Sequence, residues 1–371
     1  MSATPWYAIE PSLLPDSPAL LLYPDRVQRN IERAIAMIGD VQRLRPHVKT
    51  NKSAGATRLM LQAGITKFKC ATIAEAEMLG QCGAPDVLLA YQPVGPKIER
   101  LAALFQQYPG TRYACLCDHP EAAQALGAAF SALGLVAPVW IDLNTGQNRS
   151  GISPGDAAFD LYAACAAIPG IRPAGLHAYD GHLRQPDFAA RRSACLAAFA
   201  PVDALRKRIR TAGLPEPVVV AGGSPTFPIH AERPDVECSP GTFIYWDQGY
   251  GQLCPEQAFE PAALLLCRVV SLPDATKLCL DLGHKSVAAE NPLSQRVAFL
   301  NAPGLQPIGQ SEEHLVVEAG PGHSYQPGDV LYGLPFHICP TVALFERGVT
   351  LENGQISGEW PTVARDRKIT C

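Results

Sequence analysis

Short apolar runs alternate along most of the chain with longer segments in which apolar residues recur every three or four positions. The runs predict strands and the recurring pattern predicts helices, the first of them over 25–39. The predicted strands are 43–49, 67–72, 86–91, 112–118, 138–144, 174–179, 217–222 and 236–244. The helices between them are predicted at 73–82, 96–107, 119–134, 155–167 and 186–212, with a helix-compatible segment at 53–63 and a shorter connection at 223–235.

Eight strands with intervening helices predict a (β/α)8 TIM barrel, an α/β fold whose chemistry lies at the carboxyl ends of its strands. A doubly wound open sheet is the competing architecture, but no Gly-x-Gly-x-x-Gly follows the first strand. After about Tyr250 the helical spacing fades, and short runs separated by Pro-Gly and Asn-Gly turns predict a second, mostly β C-terminal domain. Its predicted strands are 262–271, 277–282, 296–300, 314–318, 329–334 and 341–351.

The length of 371 residues suits two domains of this kind. We assign the barrel to 25–247 and the β domain to 1–24 together with 248–371. The strand predicted at 18–24 lies outside the count of eight barrel strands. It could therefore pair with the second domain.

Composition narrows the class of protein. Hydrophobic content is 47% and charged content 18%, as in soluble globular enzymes, and a net charge of -4 without a dense basic run disfavours nucleic-acid binding. Apolar runs such as 263–267 are too short to span a bilayer, and the first ten residues lack the features of a signal peptide. The 12 cysteines are scattered, mostly in apolar segments, which fits reduced thiols and a cytoplasmic location.

Four groups of candidate residues stand at or just after predicted barrel strand ends. They are Lys49, the loop 144–152 with Arg149, the stretch 177–182, and the turn 222–226 together with 239–242, one strand later. Glycines allow close approach of the backbone, and Ser and Thr hydroxyls with free N–H groups suit a phosphate, although a tight turn explains such a segment equally well. A phosphate cradle combined with a lysine at a strand end indicates pyridoxal phosphate (PLP).

The segment Arg45-Pro-His-Val-Lys49-Thr-x-Lys52 resembles the cofactor-lysine motif of the D-threonine aldolase and D-serine dehydratase family. This family belongs to the alanine-racemase-like, fold-type III PLP enzymes. Asp142-x-Asn-Thr-Gly-x-Asn-Arg149-x-Gly is similar to the arginine loop of the same superfamily. Pro240-Gly241-Thr242 is similar to its second phosphate loop. The motifs occur in the family's order, and the match covers nearly the whole chain.

The resemblance implies a role for each matching residue. Lys49 would form the Schiff base, Arg149 would face the phenolic oxygen of PLP, and Tyr179 would contact the ring. Ser239 stands where racemases of the superfamily carry an arginine that faces the pyridine nitrogen. The implied phosphate ligands are Gly223, Ser224, Thr226, Gly241 and Thr242.

His337-Ile-Cys339-Pro-Thr is the candidate metal motif of the β domain. In an extended segment, residues two apart point to the same side, so His337 and Cys339 could hold one ion, although buried packing explains such a pair more often. The resemblance favours a metal, because the family's lyases bind a divalent ion at His-x-Cys or His-x-Asp. A cysteine ligand favours zinc, and manganese or magnesium are the alternatives.

Several further side chains are candidates without a firm role. His182 is the candidate catalytic base, with His177 as its neighbour, and for both a structural role is the alternative. Asp247 and His47 could orient a neighbour or touch the cofactor. The remaining histidines considered are His314 and His323, in the β domain.

The resemblance leads to a PLP- and metal-dependent lyase for D-3-hydroxy amino acids, of the D-threonine aldolase type, that forms glycine and an aldehyde. A D-serine or D-3-hydroxyaspartate dehydratase, forming a 2-oxo acid and ammonia, is the first alternative, and an amino-acid racemase the second. A PLP carrier is the non-enzymatic alternative, but carriers of similar fold lack the β domain. The family also implies a homodimer, with a D-amino acid as the small-molecule partner.

Overall fold

The computed structural model describes residues 5–371, so residues 1–4 of the predicted β domain lie outside the described residues. The chain divides into two compact units. The barrel unit comprises 32–49, 57–241 and 366–371. The β unit comprises the residues up to Ile31, 50–56 and 242–365.

The barrel unit contains a parallel sheet of seven strands, ordered as they occur in the chain. Strand β1 (Ala19–Leu22) belongs to the β unit, and the numbering continues here. The parallel strands are β2 (Lys67–Cys70), β3 (Asp86–Leu89), β4 (Arg112–Cys117), β5 (Ala137–Asn144), β6 (Ile171–Tyr179), β7 (Val218–Ala221) and β8 (Val236–Cys238).

The segment 44–47 closes this sheet into a barrel. Leu44 bridges Cys238 of β8 on one side, and His47 bridges Lys69 of β2 on the other. The segment makes bridges instead of a continuous strand because Pro46 has no N–H to donate. Its carbonyl still accepts a hydrogen bond of 2.9 Å from the backbone N–H of Lys69. The predicted TIM-barrel fold with a mostly β second part is thereby confirmed.

Helices connect successive strands, as the pattern of apolar residues predicts. Local signals set where they begin: Thr72 and Asp187 accept hydrogen bonds at the N-termini of the helices that start at Ile73 and Phe188, and Pro96 occupies the first turn of its helix. In the described residues, no helix is long and apolar enough to cross a membrane. The helices are α1 (Pro24–Ile38), α2 (Ala54–Gln62), α3 (Ile73–Gln81), α4 (Pro96–Gln107), α5 (Pro120–Ala132), α6 (Asp156–Ala167), α7 (Phe188–Thr211), α8 (Phe227–Ala231), α9 (Gln248–Leu253) and α10 (Ile338–Val342).

A buried ion-pair network lies towards the amino ends of the barrel strands. Arg45, fully buried, donates from Nε to Glu237 at 2.7 Å and from Nη1 to Asp86 at 2.5 Å. Lys67 pairs with the second oxygen of Glu237, and Arg112 reaches the second oxygen of Asp86 at 3.2 Å. Each buried charge in this network therefore faces a charge of opposite sign.

The β unit is built on a sheet of nine strands. Strand β1 lies inside it, antiparallel to β9 and parallel to β15, so the N-terminal strand pairs with the second part of the chain as expected. Leu21, Leu264 and Leu351 pack in its core. The other strands are β9 (Ala263–Ser271), β10 (Lys277–Leu280), β11 (Val297–Phe299), β12 (Gln306–Gln310), β13 (Leu315–Glu318), β14 (Val330–Pro335), β15 (Arg347–Glu352) and β16 (Gln355–Pro361).

The strand predicted over 341–351 is wrong in its first half. Residues 338–342 form the one-turn helix α10, and β15 begins only at Arg347. Pro340 stands in the first turn of this helix, where a missing N–H costs no helical hydrogen bond. Strands β12 and β16 were not predicted, because Pro, Gly and Gln interrupt the first and the second is exposed.

Candidate active site

Lys49 lies in the turn that follows the barrel-closing segment 44–47. Its side chain is half-buried, and its backbone N–H donates to Nδ1 of His47 at 3.3 Å. The Lys49 ammonium lies 5.8 Å from the centre of the Tyr179 ring. Tyr179 ends β6, so the lysine and the tyrosine meet at the carboxyl edge of the strands.

Three cations surround the Tyr179 ring. Besides Lys49, the ammonium of Lys69 and the guanidinium of Arg149 each lie 5.4 Å from the ring centre. In residues 5–371 no carboxylate forms an ion pair with any of the three. Such a concentration of positive charge, at the edge of a parallel barrel where ligands bind, suits a ligand with several negative charges.

The asparagines of the Asn-Thr-Gly-x-Asn motif shape the loop that carries Arg149. The side-chain oxygen of Asn144 accepts from the N–H groups of Gly146 at 3.0 Å and Asn148 at 3.1 Å. Asn148 takes a left-handed backbone conformation with φ 53°, which asparagine tolerates better than most residues. Arg149 follows at once and is exposed. The motif thus sets the conformation of the turn, and the turn positions Arg149.

The turn after β7 is held from behind by Asp180. One oxygen of Asp180 accepts from the Gly223 N–H at 3.2 Å and from the Thr226 hydroxyl at 2.7 Å. Two predicted phosphate donors are therefore committed to a carboxylate in this structure. Ser224 lies buried in the same turn, and Gly241 follows the carboxyl end of β8. Thr242 begins the next 3-10 turn.

Asp180, His230 and Cys195 form a buried cluster that the sequence did not reveal. The second Asp180 oxygen lies 2.8 Å from His230 Nε2, and the Cys195 Sγ lies 3.3 Å from the same nitrogen. Among the described residues, this is the one group of three metal-binding side chains close enough to share an ion. Burial alone would raise the pKa of Asp180, but the hydrogen bonds from His230, Thr226 and Gly223 lower it below its ordinary value. Asp180 is thus an ionised anchor for the turn.

Lys69 is the most unusual side chain of the barrel unit, and sequence reasoning missed it. It is 1% exposed on β2, and its Nζ contacts the Ser239 hydroxyl and lies 3.3 Å from His177 Nε2. Burial, together with the positive charge of Lys49, lowers the pKa of Lys69 to about 7. Ser239, at the position where racemases of the superfamily carry an arginine, is therefore in contact with a buried lysine.

The two predicted histidines of the 177–182 stretch have different surroundings. His177 is buried, and its Nδ1 lies 2.7 Å from Asp142, so a carboxylate orients the ring. His182 is half-buried beside the arginine loop, where a Cβ at Gly146 would lie 2.9 Å from its Nε2. Its Nδ1 has no hydrogen-bond partner within residues 5–371.

His337 and Cys339 lie together, but not for the reason the sequence suggested. His337 caps α10 and Cys339 is inside it, so the argument from an extended segment is wrong. Burial lowers the pKa of His337, but its hydrogen bond with Cys339 and the negative groups Glu290 and Asp247 outweigh this and raise the pKa to about 9. The two side chains therefore reach each other within the first helical turn.

The neighbours of this pair are compatible with a metal site. Glu290 hydrogen-bonds Nδ1 of His337, which orients the ring and leaves the other nitrogen for an ion. The Cys339 sulfur lies 3.1 Å from the Thr50 hydroxyl and 3.6 Å from that of Thr242. Imidazole and thiolate suit zinc, and with only two protein ligands an ion would keep open positions for water or a hydroxyl group.

Asp247 supports helix α10, whereas the surroundings of the other two candidates, His314 and His323, indicate no specific role. Asp247 is 1% exposed and accepts from the N–H of Ile338 at 3.0 Å and of Tyr250 at 2.8 Å, so it positions the start of α10. Both ring nitrogens of His323 are buried without a partner among the described residues, and His314 is exposed.

The barrel-unit residues fit PLP. The cations at Tyr179 match its negative charges, and glycine is needed at 223 because a Cβ there would lie 2.9 Å from the Tyr179 ring. The alanine racemase N-terminal domain matches residues 23–248, more than half of the chain.

The chain belongs to the alanine racemase N-terminal domain family.

A putative serine dehydratase domain matches residues 262–351 of the same chain. D-threonine aldolase of Arthrobacter sp is 28% identical over 94% of this chain and 93% of its own. The structure of D-threonine aldolase from Filomicrobium marinum, 28% identical, covers 94% of this chain and 95% of its own with a TM-score of 0.87. D-threo-3-hydroxyaspartate dehydratase from Delftia sp. HT23 is 27% identical, covers 94% and 97%, and has a TM-score of 0.77. The resemblance to the D-threonine aldolase and D-serine dehydratase family is confirmed.

Proposed function

We propose that the protein is a PLP- and divalent-metal-dependent lyase that cleaves D-3-hydroxy amino acids into glycine and an aldehyde. The observation that carries the proposal is the group of three cations around Tyr179, which includes the lysine of the family's cofactor motif. Similarity over nearly the full chain to D-threonine aldolases supports the lyase class.

In this proposal Lys49 would hold the cofactor, Arg149 would neutralise the phenolic oxygen of its ring, and Tyr179 would pack against the ring. When bound, PLP delocalises the electrons released at Cα as the bond to Cβ breaks. The Ser224 and Thr242 hydroxyls and the backbone around Gly241 would bind the phosphate. Gly223 and Thr226, which donate hydrogen bonds to Asp180, would complete the phosphate-binding turn.

His337 and Cys339 would hold the metal, with Glu290 fixing the imidazole ring. A bound divalent ion lowers the pKa of a coordinated hydroxyl group, which promotes loss of the 3-hydroxyl proton. The thiolate makes zinc the first choice, ahead of manganese and magnesium. His182, whose Nδ1 has no hydrogen-bond partner in residues 5–371, is the proposed group that receives a proton at the barrel mouth.

Dehydration is the second candidate function. It is favoured by the similarity to D-threo-3-hydroxyaspartate dehydratase. A cysteine-to-alanine variant of D-threo-3-hydroxyaspartate dehydratase has been solved in a metal-free form. In this reaction Lys49 would remove the proton from Cα and hydroxide would leave from Cβ. The released enamine would tautomerise to an imine, which water hydrolyses to a 2-oxo acid and ammonia.

Product analysis distinguishes the two reactions. The purified protein is mixed with PLP, zinc or manganese, and D-threonine or D-3-hydroxyaspartate, with and without a chelator. Glycine with an aldehyde establishes the aldolase, whereas a 2-oxo acid with ammonia establishes the dehydratase. Lys49→Ala should abolish either reaction, and Lys207→Ala, which removes an exposed lysine of α7, is the matched control. No turnover of any D-3-hydroxy amino acid would contradict the proposal.

We further propose a cytoplasmic homodimer. All 12 cysteines are free and most are buried, as expected in a reducing compartment. Light scattering of the purified protein tests the assembly, and a monomer mass at micromolar concentration would contradict it.

A further inference from the structure

Lys69 is a buried cation that the proposed reaction does not use. A buried lysine normally faces a carboxylate, yet Lys69 forms no ion pair within the described residues. Besides burial, the positive charges of Lys49 and Arg45 lower the pKa of Lys69, whereas Asp142 and Asp180 raise it without forming an ion pair. Because burying an ammonium group without an ion pair destabilises the fold, we expect such a residue to bind a ligand.

The contacts of Lys69 account for two of its three ammonium hydrogens. The Ser239 hydroxyl donates to the Gly222 carbonyl at 3.1 Å, so its oxygen accepts from Lys69. Asp142 requires a hydrogen on Nδ1 of His177, and burial with the charge of Lys69 lowers the pKa of His177, so the ring is neutral. Nε2 of His177 therefore accepts the second hydrogen.

The third hydrogen has no acceptor in the part of the chain that the structure describes. The ammonium lies 5.4 Å from the centre of the Tyr179 ring, which also faces Lys49 and Arg149. A ligand bound among these three cations would reach the remaining donor. An anionic ligand would also favour the charged form of Lys69.

We propose that Lys69 donates its third hydrogen to the pyridine nitrogen of PLP and so keeps that nitrogen unprotonated. The inference rests on the proposed function. Among the polar groups of the PLP ring, Lys49 would bind the aldehyde carbon and Arg149 the phenolic oxygen, which leaves the pyridine nitrogen as the acceptor for Lys69. An ammonium there donates a hydrogen bond and leaves the ring uncharged.

The test uses PLP labelled with ¹⁵N at the ring nitrogen, bound to the intact protein. In the wild-type protein the nitrogen resonance should be that of an unprotonated, hydrogen-bonded pyridine across pH 6–9. Lys69→Met keeps the length of the side chain but removes the donor. It should shift this resonance and weaken PLP binding about 10- to 100-fold, as expected for one buried hydrogen bond to a charged group.

Lys67→Met is the matched control, because it removes a lysine from the same strand that pairs with Glu237. It should leave the resonance unchanged. A resonance that is identical in Lys69→Met and the wild type would overturn the inference, as would a protonated nitrogen in the wild type.

Retention of PLP distinguishes a failure of the proposed function from a failure of this inference. If the wild type retains no PLP at all, the proposed function fails, and this inference fails with it. If all three proteins retain PLP and the resonance does not respond to Lys69, the inference alone is wrong. Should Lys69→Met not fold, Ser239→Ala frees the ammonium from one acceptor and should shift the same resonance. No shift in that variant would contradict the contact.

Discussion

Lys67 and Lys69 stand two residues apart on one barrel strand, yet they face opposite electrostatic surroundings. Lys67, at the amino end, pairs with Glu237, which also holds the buried Arg45. Lys69, at the carboxyl end, contacts a hydroxyl group and a neutral imidazole. Among charged groups, Lys49, another cation, has the largest effect on the pKa of Lys69.

The difference separates charges that hold the barrel together from charges that are kept for a ligand. At the amino end, removing the central Arg45 would take the buried partner from both Glu237 and Asp86, so the network is structural. At the carboxyl end the cations repel one another, and their arrangement is favourable only when negative charge arrives. One end of the barrel thus contributes stability, whereas the other gives up stability for binding.

The largest expected effect tests the structural end. Arg45→Met removes the buried partner of Glu237 and Asp86, which keep only the more exposed Lys67 and Arg112, and should lower the free energy of unfolding by about 3–5 kcal/mol. Urea denaturation of the PLP-free protein measures it. Arg112→Met is the matched control, because the Arg112 side chain is 77% exposed and its loss should change stability by about 0.5 kcal/mol or less. An equally small loss for Arg45→Met would show that the network is not structural.

A smaller effect of opposite sign is expected at Lys69. Its pKa falls to about 7 in the folded protein from an ordinary value near 10.5, so the unfolded chain binds more protons between these values. The stability of the PLP-free wild type should therefore decrease as pH falls from about 10 to 7. Lys69→Met removes this loss and should be a few kcal/mol more stable relative to the wild type at pH 6 than at pH 10.

Thermal melting at several pH values measures the Lys69 effect. Lys67→Met should be less stable than the wild type throughout this range, because it breaks a pair instead of removing a penalty. A difference between Lys69→Met and the wild type that does not change with pH would refute the assignment of an unpaired, buried ammonium.

The smallest effect concerns the anchor behind the phosphate turn. Asp180→Asn keeps the shape but weakens the hydrogen bonds from Gly223, Thr226 and His230, so PLP should bind about tenfold more weakly. Fluorescence titration with PLP measures the affinity. Asp203→Asn, at an exposed ion pair on α7, is the control and should bind like the wild type. Unchanged binding by Asp180→Asn would mean that the turn holds its shape without the carboxylate.

The sequence predicted the barrel because its strands and helices carry distinct apolar spacing and begin at local signals such as Thr72 and Pro96. Lys49 and Arg149 could be named because motifs fix their loops. Lys69 could not, since a strand buried on both faces reads as a run of mixed residues that does not tell which side chain points inward. The Lys-Phe-Lys spacing at 67–69 was the available signal: two lysines in a short buried strand require an explanation.

The second part of the chain shows where local patterns fail. His337 and Cys339 were paired by an argument about extended backbone, whereas a helical turn brings them together. Asp180 lies in the candidate stretch 177–182 but received no role, because its partner His230 is fifty positions away and only the fold brings the two together. Contacts of this kind depend on tertiary structure, which periodicity does not encode.

The most direct test of the central claim, that cations without carboxylate partners at the barrel mouth bind PLP, is to locate the bound cofactor. The protein is mixed with PLP, reduced with borohydride, digested and mapped by mass spectrometry, with Lys49→Ala treated in parallel. We predict one modified peptide, carrying the cofactor on Lys49, and none in the variant. Modification of several surface lysines, or of none, with Lys49 left unmodified, would contradict the account.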